Sequence, residues 1–104
     1  MKRFYWVGYC EQDRLSWTPQ VARVINSYGA IVNTNFFSDL AISFIIEVSA
    51  DQIQALYANL KEYIHLEDVN GFPASGSYEC TVLLNLSFTN GSGNLKIETP
   101  SVPG

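Results

Sequence analysis

The sequence predicts an α+β sandwich, in which one sheet carries two helices on one of its faces. Three observations predict it. Apolar residues alternate with a period of two over 40–48 and 79–89. They recur at helical spacing over 17–28 and 53–64. Glycine, proline and short polar stretches punctuate the chain between these runs.

Residues 3–10, RFYWVGYC, are aromatic and β-branched, which suits a first strand. The polar stretch 11–16 is a loop. Pro19 fits a first helical turn, where its missing N–H is not needed, and Ser16 or Thr18 can cap that turn. Val21, Val24, Ile25 and Tyr28 then follow at helical spacing, with Trp17 one turn earlier. Gly29 is a natural helix stop, because glycine accepts the left-handed conformation that often ends a helix.

Residues 30–37, AIVNTNFF, read as a second strand, and Ser38-Asp39 as a tight turn. In the third strand Leu40, Ile42, Phe44, Ile46 and Val48 take one face, and Ala41, Ser43, Ile45, Glu47 and Ser49 the other. Ser49 followed by Gln52 has the spacing of a capping box. Ile53, Leu56, Tyr57, Leu60 and Ile64 then share one helical face, and His65 closes that helix. The segment 67–77 carries Gly71, Pro73 and Gly76 and is a loop. Residues 79–89 form a strand with Cys80, Val82, Leu84, Leu86 and Phe88 on one side. NGSGN at 90–94 is a glycine turn, and Leu95, Ile97 and Thr99 continue as a short extra strand that Pro100 ends.

This order, β-α-β-β-α-β with a final β, predicts a ferredoxin-like βαββαβ sandwich: an antiparallel sheet of strand order 4-1-3-2 with a short extra C-terminal strand. The first and fourth strands are then antiparallel neighbours. Such a register places Cys10 beside Cys80 and Phe4 beside Leu86.

Composition limits the function. The 104 residues suit one domain, and 47% hydrophobic content supports a core. Charged residues are only 15%, so part of an apolar surface is expected to be covered, most simply by a second copy. The net charge is −4, and the six Lys and Arg residues are scattered. No basic stripe exists for a nucleic-acid backbone or an anionic membrane. No apolar run approaches the roughly 20 residues needed to span a bilayer. The start, MKRFYWVGYC, has a short aromatic run followed at once by Glu11, Gln12 and Asp13, with no small-residue cleavage site. It reads as the first strand of a cytoplasmic protein.

Several features together resemble the ACT domain family: the aromatic first strand, the loop with Asp13-Arg14, the helix ending in Tyr28-Gly29-Ala30-Ile31, and the order of elements after it. The resemblance covers residues 3–88 of a single domain, with 89–104 as a C-terminal extension. It implies a small ligand-sensing module, usually paired, that often binds an amino acid where the first loop meets a neighbouring subunit.

The candidate ligand site is therefore Asp13, Arg14, Ser16 and Trp17, with Asn33 and Asn35 from a neighbouring second strand. Arg14 suits a carboxylate and Ser16 can donate a hydrogen bond, while the helix start behind them favours an anion. Cys10 and Cys80 have a redox or two-thiolate reading, but two thiols are too few for a structural zinc site. They read better as small buried hydrophobes. His65 is the only histidine and suits a helix C-terminus. No catalytic constellation, metal site or cofactor motif stands out.

The helix-free sheet face is the remaining candidate surface. It would carry Ile45 and Leu83, with either Tyr5, Val7 and Tyr9 or Phe4 and Trp6, and with Ser43, Asn85 and Ser87 between. Large apolar patches mark contact surfaces, so a homodimer is expected, the alternative being coverage by the chain's own short tail, 95–104. The function expected is a non-catalytic regulatory module that binds a small ligand or protein and acts as a homodimer, with an amino acid as candidate ligand. The alternative is a small enzyme with a pocket between sheet and helices, for which Tyr5, Tyr9 and Tyr57 are candidates by elimination. RNA binding on the sheet aromatics is the third class, and the acidic charge opposes it.

Overall fold

β1 (Lys2–Cys10) is followed by α1 (Arg14–Tyr28), β2 (Gly29–Ser38), β3 (Ala41–Ser49), α2 (Ile53–Leu60), β4 (His65–Leu66) and β5 (Glu79–Phe88). The computed structural model describes residues 2–38 and 40–89. Asp39 of the expected turn, and the glycine turn and extra strand expected over 90–99, lie outside the described residues.

The five strands form one mixed sheet of order β2-β3-β5-β1-β4. β2 pairs with β3, β3 with β5, and β1 with β4, all antiparallel, whereas β1 and β5 run parallel. This corrects the expected ferredoxin-like antiparallel sheet of order 4-1-3-2. The long last strand does lie beside β1, but it points the same way and is wedged between β1 and β3.

The cause is an extra pass of the chain. After α2 the backbone turns along the free edge of β1 as β4, with His65 opposite Tyr9 and Leu66 opposite Gly8. The Glu67 N–H then donates to the Val7 carbonyl at 2.9 Å. Residues 67–78 return to the other end of the sheet. There the Ala50 N–H donates to the Tyr78 carbonyl at 2.8 Å and the Asp51 N–H to the Gly76 carbonyl at 3.0 Å. β5 therefore enters the sheet in the direction of β1.

The period-two pattern assigns the faces of β3 and β5 correctly, except that Leu40, expected on the buried side, is exposed. Ile42, Phe44, Ile46 and Val48 of β3, all five even-numbered positions of β5 from Cys80 to Phe88, and Trp6 and Cys10 of β1 are buried. Val21, Val24 and Ile25 of α1 and Ile53, Leu56 and Leu60 of α2 belong to the same cluster. Adjacent strand residues point to opposite faces, so both helices cover one face and leave the other without a helix. Burying each aliphatic side chain of this kind contributes about 1.5–3 kcal/mol, so the core dominates the stability.

Several helix boundaries differ from expectation. Asp13, not Ser16 or Thr18, caps α1, its Oδ2 accepting from the Ser16 N–H at 3.2 Å. The helix thus starts earlier, and Pro19 lies inside it. Gly29 is extended (φ −154°) and begins β2, so no left-handed stop is formed. Its glycine character answers to packing, since a Cβ there would stand 2.5 Å from the Glu47 carbonyl oxygen.

At α2 the expected capping box is absent, because the Ser49 hydroxyl donates to the nearer Asp51 carboxylate at 2.6 Å and Gln52 starts the helix without a side-chain cap. α2 also ends at Leu60, and His65 belongs to β4 rather than closing the helix. Turn bonds from the Tyr63 and Ile64 N–H groups to the Leu60 carbonyl, both 2.9 Å, let the chain leave the helix while Ile64 still reaches the core.

Candidate functional site

The loop residues singled out in the sequence meet at the start of α1, and most of them are engaged by the chain itself. Asp13 satisfies an orphan N–H of the helix start, as a capping carboxylate does. The Trp17 indole donates to the Tyr63 carbonyl at 2.9 Å, pinning α1 to the turn after α2. The Arg14 guanidinium lies 5.2 Å from the centre of the Phe36 ring. Ser16 is exposed.

Asn33 and Asn35 lie elsewhere. They pair with Ile45 and Ser43, positions that alternate with the buried Phe44 and Ile46, so they belong to the helix-free face. Asn33 also accepts from the Thr34 N–H through Oδ1 at 2.9 Å. Within one chain the six residues divide between the two sides of the sheet.

The cysteines also part. In the parallel register Cys10 faces Phe88 and Cys80 faces Lys2, so the expected Cys10–Cys80 pairing, and that of Phe4 with Leu86, is not formed. Both thiols are buried and free. Burial pushes each above the ordinary thiol range. His65 stacks on Tyr9 with ring centres 4.5 Å apart and lies 3.9 Å from the Glu11 carboxylate. All three side chains are exposed.

The helix-free face reads as a grid: the β3–β5 and β5–β1 ladders run unbroken, and β2 joins them through a ladder whose register shifts between Ile31 and Asn33 and between Phe36 and Ser38. One row crosses the sheet as Ala30, Glu47, Thr81 and Arg3. The next is Asn33, Ile45, Leu83 and Tyr5. A third is Asn35, Ser43, Asn85 and Val7, and a fourth Ser38, Ala41, Ser87 and Tyr9.

The choice between the two sets of β1 residues is now settled: Tyr5, Val7 and Tyr9 face outward, and Trp6 is in the core. Tyr5 is 66% exposed, although it stands in the same row as Ile45 and Leu83. Ser43, small and flanked by larger residues, is only 3% exposed. A shallow groove of about 400 Å³ runs along the second row, lined by Phe4, Tyr5, Ile45 and Leu83, with Arg3 and Thr81 at its end.

The arrangement offers an apolar, aromatic floor bounded by one cation and one carboxylate two strands apart. The exposed Asn85 amide and Ser87 hydroxyl, with Asn33 and Asn35 on the same face, can hydrogen-bond a partner. These are docking groups. A sequence pattern could show which residues of a strand share a face, but the rows needed the register, which follows from the inserted β5.

No helix of the described residues is long and apolar enough to cross a membrane. No family model, curated protein or solved structure matches the chain.

Proposed function

We propose that the protein is a non-catalytic binding or regulatory module that works as a homodimer in the cytoplasm, with the helix-free sheet face as its contact surface. The observation that carries this reading is the exposed aromatic row of β1, continuous with Ile45 and Leu83 across two further strands. Such a strip is stabilised by about 25 cal/mol for each Å² of apolar surface withdrawn from water. Patches of this kind are characteristic of contact surfaces. The reading stands on this face and not on the ACT-like resemblance.

Sedimentation over concentrations from about 1 μM to about 500 μM tests it, since a modest interface of this chemistry dissociates within that range. A shift from monomer to dimer is expected. A chain that stays monomeric throughout overturns the homodimer.

The small-ligand part of the proposal is separate. It places an amino acid at Arg14 and Ser16, where Asp13 and Trp17 already serve the chain's own backbone. A ligand that binds only the native state raises its stability. A thermal-shift screen against amino acids should therefore give an increase that Arg14→Ala removes. No increase with any amino acid at millimolar concentration would leave protein binding as the sole role.

A further inference from the structure

We propose that two copies stack their helix-free faces about a two-fold axis running along β5, with Arg3 of each copy against the partner's Glu47. This rests on the homodimer reading above and gives that dimer its geometry.

The face is lopsided about β5. On the β1 side stand Tyr5, Val7 and Tyr9, all exposed. At the same levels on the β3 side stand Ile45, Ser43 and Ala41, which shrink as the β1 residues stay large. A two-fold axis along β5 keeps each residue's level and exchanges the two sides. Tyr9 then falls over the partner's Ala41, Val7 over the partner's Ser43, and Tyr5 over the partner's Ile45. Leu83 meets its own image on the axis. At the Tyr9 and Val7 levels large residues meet small ones, and at the Tyr5 level large apolar residues meet each other, as the packing of two sheets about 10 Å apart requires.

The charges follow the same rule. Arg3 and Glu47 sit in one row on either side of Thr81. Both are exposed, and neither has an ion-pair partner among the described residues. The exchange of sides brings each onto the other's position, so a single interface holds two symmetric ion pairs beside the apolar strip. An axis across the strands does neither thing. It sets the tall β1 residues against one another, leaves the low Ser43 and Ala41 facing each other, and separates Arg3 from Glu47.

A self-complementary face is the property that a two-fold contact demands. The two ion pairs also offset part of the repulsion between two chains of net charge −4. The strand spacing and rise give this face roughly 19 by 26 Å, so the pair is small and its affinity modest.

The test uses two single variants of the full chain and their mixture, followed by sedimentation. Arg3→Glu makes both sides of the face acidic, and Glu47→Arg makes both basic. Each variant alone should self-associate at least about 10-fold more weakly than the parent. Mixed in equal amounts, they should form a heterodimer of near-parental affinity, because each acidic side then meets a basic one. Only an intermolecular contact restores binding in a mixture. If the parent dimerises but the single variants dimerise equally well, or the mixture fails to recover, the proposed geometry is overturned and the homodimer reading stands. If the parent itself remains monomeric, both fall.

Discussion

Cys10 and Cys80 stand at opposite ends of two neighbouring parallel strands, Cys10 level with Phe88 and Cys80 level with Lys2. At the usual strand rise their levels differ by roughly 26 Å, far beyond the ~7 Å that a disulfide can bridge between Cα atoms. A mild thiol oxidant should therefore produce no intrachain disulfide in the folded protein and should produce one readily in urea. Intact mass under non-reducing conditions reads the loss of two hydrogen atoms, whose electrons pass to the oxidant. A quantitative native disulfide would contradict the parallel register.

Stability should fall on the alkaline side. Burial pushes the Cys10 thiol above its ordinary 9.0; the Gln12 N–H, which donates to the sulfur at 3.4 Å, opposes this, and Glu11 and Asp13 add to it. Burial likewise raises Cys80, with Lys2 opposing and Glu79 adding. Burial, helped by Asp68, raises Tyr57 above 10.0. Each group is held neutral in the native state, so the unfolded chain ionises first. The stability this contributes is complete below the unfolded values and is lost as pH rises through the raised ones. Tm should be level near neutral pH and decline above about pH 9, the thiols acting first and Tyr57 next. Replacing Cys80 by Ala and Tyr57 by Phe together should flatten that decline. A Tm that rises above pH 9 would contradict the burial of these groups.

Tyr57 joins α2 to the segment after β4. Its hydroxyl donates to the Glu67 carbonyl at 2.7 Å, and its ring meets Trp6 and Phe72 edge-on at 5.2 and 5.4 Å. Tyr57→Phe keeps the ring contacts and leaves a carbonyl short of a partner, a loss of about 1–2 kcal/mol. Tyr57→Ala also opens a cavity beneath Trp6 and should cost about 3–5 kcal/mol. Urea unfolding measures both. Equal losses would mean that the ring packing contributes nothing.

Gly8 allows β4 to lie against β1. A Cβ there would stand 2.8 Å from the His65 carbonyl oxygen and 2.9 Å from Leu66 Cδ2. Gly8→Ala should push β4 away, destabilising the protein by about 1–3 kcal/mol. It should also speed hydrogen exchange at the Glu67 amide, whose N–H bonds the Val7 carbonyl. Gly29→Ala meets the Glu47 carbonyl at 2.5 Å in the same way and should also destabilise, but without affecting the Glu67 amide. Unchanged exchange in Gly8→Ala would show that β4 does not depend on this approach.

Much of the local structure was legible because it depends on near neighbours in the chain. The alternation in β3 and β5 marked their buried faces, and the spacing of Val21, Val24 and Ile25 marked that of α1. The helix-free apolar face was legible for the same reason. Helix ends were less so, because Asp13, Ser16 and Thr18 are all competent caps and only the backbone decides which one caps. The candidate ligand corner was legible only as a loop. Asn33 and Asn35 were expected to complete it from a neighbouring second strand, and in this chain they lie on the helix-free face, away from α1.

By itself the sequence determined the order of its main elements, the buried side of β3 and β5, and a net acidic charge without a basic stripe. The tertiary structure alone decided the strand order, the parallel pairing of β1 with β5 and the rows across the open face. A strand's period states which side is apolar and is indifferent to its neighbour and to its direction. That direction turned on β4, two residues too short to leave a pattern of their own. Their backbone bonds to β1 add one more reversal of the chain before β5 begins.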